Sequence, residues 1–277
     1  MKNIILAACT LFSGMMAFAI NPGEMVLLKQ DATSVFHPVL SPDGNTLLFS
    51  SQDHTGLNAM NLNDKSVVVI DDAAAAGFCP VFSTDGKTIV YRTADTIDGL
   101  TYRDVRSFRL DSDASAKIIR PMSRKDENLN SIAGDTDYAY ADYRTIKVCH
   151  KGNLVDVSPI ADAHSYLWAS ISPDGSKLLF TEPFTGVYVC NIDGTDVRRI
   201  APKGDFAAWA DNSMITYVDS KDDGYVIVSS QLYAYDLVSG RSLVITPDNV
   251  IVGEATAAAG KVVFSTLAGQ LYSVTLK

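Results

Sequence analysis

Four histidines, His37, His54, His150 and His164, are the side chains of this 277-residue chain best suited to metal ligation or proton transfer near neutral pH. Their spacing gives no local ligand pair. No His-Glu-x-x-His stretch sets two imidazoles on one helical face, and no Gly-x-Ser-x-Gly elbow lifts a serine nucleophile out of a sheet. Residues 253–261 have the outline of a phosphate-cradling loop, but the spacing is wrong and Val262 stands where a magnesium-binding hydroxyl is required. Asp111-Ser112-Asp113 and Asp193-Gly194-Thr195-Asp196 are acidic enough for calcium, yet Asp and Ser also bond their own backbone, and ordinary turns account for them. No catalytic set, no metal site and no cofactor are therefore expected. The chemistry left is recognition, which depends on the elements that bring side chains together.

Internal repetition discloses those elements. Ser41-Pro42-Asp43-Gly44, Ser83-Thr84-Asp85-Gly86 and Ser172-Pro173-Asp174-Gly175 recur about 42 and then about 89 residues apart, one and two periods of a unit of roughly 40 to 45 residues. In such a turn Pro presets φ, Asp bonds the local backbone and Gly accepts positive φ. An aromatic residue ends the run after each turn position, at Phe49, Tyr91, Tyr140, Phe180, Tyr217 and Phe264. Further columns follow at Leu57, Val105, Ile146, Val187, Leu232 and Leu271, then at Ile70, Ile119, Val157, Ile200 and Ile245. Each unit reads as four short strands rich in β-branched and aromatic residues. Six such units predict an all-β chain folded as a six-bladed β-propeller. The sixth unit lacks its last strand, and residues 25–28, ahead of the first unit, supply a run of the missing type. An N-terminal strand closing the last blade removes the edges that an open sheet must protect. Ala207, Ala208, Ala255, Ala257 and Ala258 precede the later turns, and small side chains suit innermost strands.

These turns and the aromatic-ended strands that follow them resemble the β-propeller repeat of the TolB family. The resemblance runs along residues 20–277, most clearly in the first, second and fourth units. It weakens in the third, where Gly134-Asp135-Thr136 replaces the turn, and in the fifth, where Asp211-Asn212 is shortened. The chain shows neither the α/β domain of TolB itself nor the hydrolase domain of prolyl-oligopeptidase relatives. One TolB-like branch, the oligogalacturonate lyases, uses a metal held by His and Gln. The resemblance places His37 and His164 on opposed blades, which argues against one ion between them.

In a four-stranded blade the links from second to third strand and from fourth strand to the next blade share one face. The Ser-Pro-Asp-Gly turns lie on the other. Longer links are expected on the first face, at residues 92–104, 120–130, 158–168 and 218–230, and function concentrates on such loops. The candidate ligand-binding residues of this loop face are His37, Arg92, Arg103, Tyr143, Arg144, His164, Tyr166, Trp168, Glu182 and Asp219. Aromatic residues and Arg are enriched where partners bind, although Trp168 also suits blade packing.

A net charge of -9 argues against nucleic acid and anionic membranes as partners. The composition, 47% hydrophobic and 20% charged, is that of a chain able to build a core. Lys2, an apolar run over residues 4–16 and Ala17-Phe18-Ala19 read as a signal peptide over residues 1–19, followed by the propeller domain over residues 20–277. Leu6-Ala7-Ala8-Cys9 resembles a lipoprotein box, but cleavage there leaves an apolar core shorter than the usual ~7 residues. No later run approaches the roughly 20 apolar residues of a membrane span. Cys79, Cys149 and Cys190 are read as small buried apolar residues. No Cys149–Cys190 disulfide is expected, because packed sheets lie about 10 Å apart and bridged Cα atoms within about 7 Å. The expectation is a monomeric, periplasmic or secreted, non-enzymatic binding or scaffold propeller of the bacterial cell envelope, engaging a protein or peptide through its loop face. The alternative is a carbohydrate-binding or oligogalacturonate-lyase-like propeller acting on a glycan at the channel mouth.

Overall fold

The computed structural model describes residues 22–30, 35–111, 115–125 and 127–277. The expected signal peptide over residues 1–19, its expected cleavage point and Cys9 lie outside these described residues. The chain starts with β1 (Val26–Lys29). Blade 1 follows as β2 (Phe36–Leu40), β3 (Thr46–Ser50), β4 (Leu57–Asn61) and β5 (Val67–Asp71). Blade 2 contains β6 (Val81–Phe82), β7 (Thr88–Ile97), β8 (Leu100–Arg109) and β9 (Lys117–Ser123). Next come a short helix, α1 (Leu129–Ala133), and blade 3 with β10 (Tyr138–Asp142), β11 (Thr145–His150) and β12 (Asn153–Val157). Blade 4 is β13 (Leu167–Ile171), β14 (Lys177–Glu182), β15 (Gly186–Asn191) and β16 (Arg198–Ala201). Blade 5 is β17 (Asp205–Trp209), β18 (Met214–Asp222), β19 (Ile227–Asp236) and β20 (Arg241–Val244). Blade 6 is β21 (Val252–Ala258), β22 (Lys261–Thr266) and β23 (Leu271–Thr275), with β1 added beside β23.

The six sheets form the predicted all-β, six-bladed propeller, closed by the N-terminal strand. Val26 pairs with Ser273, Leu27 with Tyr272 and Lys29 with Leu271, all antiparallel. The closing strand buries less than its sequence suggests. Val26 and Leu27 are exposed, and Leu28 alone enters the core shared by blades 6 and 1, beside Leu47, Val263 and Leu271.

The core is divided among the blade interfaces. Each pair of neighbouring blades encloses its own apolar cluster, so the ring is held by six seams. The aromatic column supplies these seams: Phe49, Tyr91, Phe180, Tyr217 and Phe264 are buried. Phe180, Tyr217 and Phe264 also stack on their cross-strand partners Tyr188, Tyr233 and Tyr272. The turns on the opposite face repeat one hydrogen-bonded device. Ser41, Ser83 and Ser172 each donate to the Asp two residues on, at 2.6 Å. Each serine oxygen also accepts the backbone N–H of the residue five on.

The third unit departs from the four-strand expectation. Its sheet has three strands, and α1 occupies the chain position of the missing innermost one. Asn128 caps the helix by accepting the Ser131 N–H, and Gly134, at φ 83, ends it in the left-handed conformation. The seam between blades 2 and 3 is accordingly the smallest, built on Val90, Val105 and Leu129. Tyr140, the third-blade member of the aromatic column, remains half-buried.

The cysteines divide. Cys149 and Cys190 are buried thiols without a disulfide, as expected, and burial pushes the Cys190 thiol up to about 12. Cys79 is exposed, contrary to its reading as a core residue. It takes φ 50 just before β6, at the rim of the ring.

Candidate site at the loop-face rim

Four innermost strands begin with the same irregularity. Pairing skips a residue between Phe36 and Val39, Leu167 and Ser170, Asp205 and Ala208, and Val252 and Ala255. These are β-bulges, which re-aim a side chain. The bulge position holds His37, Trp168 and Phe206 in the left-handed region at φ 54, 49 and 53, and Gly253 occupies it in blade 6. A bulky residue at such φ is an outlier maintained by its surroundings, and such outliers collect at functional sites.

The re-aimed residues meet those of neighbouring blades. Trp168 lies against Phe206 across blades 4 and 5, with ring centroids 5.6 Å apart. Phe206 and Glu254 line a common cavity between blades 5 and 6. The His37 backbone N–H donates to Glu254 Oε2 at 2.6 Å, and His37 Nδ1 lies 3.7 Å from the same oxygen. The His37 ring stacks on His54 at 3.7 Å, and His54 meets Phe78 edge-on at 5.0 Å. Rings of blades 4 and 5 and rings of blades 1 and 2 thus flank Glu254 of blade 6 in an arc that stops at blade 3, where α1 replaces the inner strand.

The structure separates the predicted site residues into groups. His37 and Trp168 belong to the arc. His164 and Tyr143 belong to the loops outside it, and Glu182 ends β14. Glu182 is buried and accepts from the Thr185 hydroxyl at 2.6 Å, the Phe184 N–H at 3.1 Å and the His164 N–H at 3.3 Å. Burial alone would raise its carboxyl, but these donors outweigh it and hold the group below the usual carboxylate range. Glu182 thereby fixes the loop that presents Phe184 against the exposed His164 ring, 4.9 Å away. Arg144 Nε donates to the Ala163 carbonyl at 3.0 Å and ties down the same region.

Tyr166, expected on the loop face, is a buried core residue. Its ring is buried edge-on against Phe180, and its hydroxyl donates to the Ile160 carbonyl while accepting the Ile160 N–H. Arg92, Arg103 and Asp219 lie on strands, not on the long loops expected at 92–104 and 218–230. Those segments continue as hairpins, the first closed by Asp98 and Gly99 at φ 51 and 75, the geometry that an Asp-Gly pair favours. Arg92 is buried with its guanidinium 5.7 Å from the Phe78 ring centroid. Asp71, at the end of β5, accepts from Tyr91 and Arg106 at 2.8 Å each and stitches blades 1 and 2.

Sequence reasoning missed Phe206, Glu254 and Phe78. The bulges that align Phe206 with His37 and Trp168 leave only the repeat register as a signal. Glu254 and the cavity arise from blades distant in sequence. Among the described residues, no cluster of three His, Cys, Asp or Glu side chains fits a metal ion, and no helix is long and apolar enough to cross a membrane.

Fold and rim together define a closed six-bladed β-propeller whose loop face is lined with aromatic and apolar side chains. No family model and no curated protein sequence matches the chain. Solved structures do. A protein of unknown function from Bacteroides thetaiotaomicron aligns with TM-score 0.57 at 9% identity, over 94% of this chain and 77% of that one. A protein from Agrobacterium tumefaciens assigned as TolB aligns with TM-score 0.54 at 15% identity, over 92% and 91% of the two chains. Catalytically inactive virginiamycin B lyase from Staphylococcus aureus, solved with quinupristin, aligns with TM-score 0.54 at 9% identity, over 94% and 100%. At these identities the likeness is one of fold.

Proposed function

We propose that this protein is a non-enzymatic binding or scaffold propeller of the bacterial cell envelope that engages a protein or peptide through its loop face. One observation carries the reading. In blades 3 to 6 the link between second and third strands presents a large apolar side chain to solvent: Tyr143 (73% exposed), Phe184 (75%), Tyr225 (95%) and Leu267 (56%). In blade 2 the hairpin tip does the same with Ile97 and Leu100. The turns of the opposite face are built mainly on Ser, Asp and Gly. Apolar groups concentrated on one face, with aromatic side chains prominent, mark an interaction surface. The envelope location rests on the leader-like residues 1–19.

The test replaces three tips with charge. A Tyr143→Glu, Phe184→Glu, Tyr225→Glu variant should keep the parental melting temperature, since all three side chains are solvated. It should lose most of the partner that the parent retains from envelope extract. Val238→Glu, on the opposite face, should retain that partner. Equal capture by all three proteins would contradict the reading.

A further inference from the structure

Between blades 5, 6 and 1 the loop face opens into a cavity of about 490 Å³. Its walls include Phe36, Phe206, Ile227 and Leu267, and its polar groups are few. The Ser265 and Thr266 hydroxyl oxygens already accept from the Glu254 and Gln270 backbone N–H groups at 3.1 Å. Glu254 Oε2 accepts from His37. The second Glu254 oxygen, Oε1, has no hydrogen-bond partner among the described residues. An apolar chamber of this size with one carboxylate oxygen still able to accept is suited to a ligand with an apolar body and one cationic donor. The surrounding charge has the matching sign. Asp205, Asp219, Asp222, Asp223 and Asp248 lie on the flanking strands and loops, opposed by Lys203 and Lys221. Of these two, Lys203 donates to the Ser220 carbonyl.

We infer that this cavity is a binding site for an extended peptide that places a lysine or arginine side chain on Glu254 with an apolar or aromatic neighbour against Phe36 and Phe206. The inference rests on the loop-face reading and specifies its partner. A peptide, and not a free amine, fits because the cavity is lined by exposed Leu267 and Ile227, and Ile227 stands two residues from the exposed Tyr225 at the tip of the same hairpin, so a chain leaving the cavity has further apolar surface to meet. Glu254, already held by His37, needs no rearrangement to receive the cation. The acidic flank accelerates the approach of a basic segment.

The experiment is calorimetric titration of the full chain with benzylamine and with three peptides: acetyl-Ser-Phe-Lys-Phe-Ser-amide and its norleucine and glutamate counterparts. The lysine peptide should bind at least about tenfold tighter than the norleucine peptide, the usual size of a charge-assisted hydrogen bond. The glutamate peptide should bind weakest. Glu254→Gln, which still accepts the His37 N–H, should abolish the lysine preference while leaving norleucine binding in place. Ala268→Trp, a change at an exposed lining residue, should weaken the lysine and norleucine peptides alike. Equal affinities for lysine and norleucine, a preference that survives Glu254→Gln, or binding untouched by Ala268→Trp would each overturn the inference. So would benzylamine binding as tightly as the lysine peptide, which would reassign the cavity to small amines. Any of these results combined with partner loss in the tip-charge variant would leave the loop-face reading standing without this ligand.

Discussion

At the residue scale, Glu182 shows how a buried carboxylate serves a surface. Its three accepted hydrogen bonds fix the loop carrying Phe184 and the start of the segment carrying His164. Hydrogen bonds to a charged group are worth about 1.5–3 kcal/mol, so Glu182→Gln should destabilise the protein by about 2 kcal/mol at pH 7. Because the folded-state pKa is depressed, this contribution is complete above the unfolded value near 4.3 and is lost as pH falls through the lower folded value. Denaturant midpoints measured from pH 7 to pH 3 should converge for the parent and Glu182→Gln at the acid end. A constant difference across the range would show that the carboxylate's charge is not what matters. At this scale the sequence was partly legible. His37 and Trp168 stood out by type, but nothing in type distinguishes Tyr166, a core ring, from Tyr143, a solvated one. That difference is made by the Ile160 backbone groups that satisfy the Tyr166 hydroxyl.

At the element scale, the closing strand and the third blade behave differently from the repeat that predicted them. The aromatic and β-branched columns made strand existence readable, because buried seams demand the same residue types in every blade. Burial within β1 was not readable, because it depends on which side of the strand faces blade 1. Leu28→Ala should cost about 2–3 kcal/mol, the usual loss for a buried leucine, while Leu27→Ala should cost less than about 1 kcal/mol. Urea unfolding of the two variants measures this directly, and equal losses would place both side chains in the seam. The α1 substitution in blade 3 was signalled by the missing Ser-Pro-Asp-Gly turn, though not its helical form. A seam resting on Val90, Val105 and Leu129 should open before the others. Hydrogen exchange should therefore be faster in α1 and β10 than in β14 and β15. Uniform protection around the ring would show that α1 replaces the missing strand without loss.

At the scale of the whole molecule, the ring divides labour between its faces. One face is closed by short Ser-Asp-Gly turns whose hydrogen bonds are internally satisfied. The other gathers the bulged inner strands, the aromatic arc, the cavity at Glu254 and the apolar tips. Ring topology makes this possible, since alternate connections of every blade emerge on the same side and residues far apart in sequence become neighbours. Two of the loops expected on that side proved to be long hairpins, because Asp98-Gly99 and Asp222 to Gly224 close turns and strand pairing continues to the tip. The central claim is that partners are held on the tip-bearing face, and site-resolved photocrosslinking in the producing cell tests it most directly. Benzoylphenylalanine placed singly at Tyr143, Phe184, Tyr225 and Leu267 should yield discrete adducts, and the same probe at Asn63, Asp193, Ser213 and Val238 on the opposite face should yield none. Adducts confined to the second set, or equal on both faces, would contradict the account.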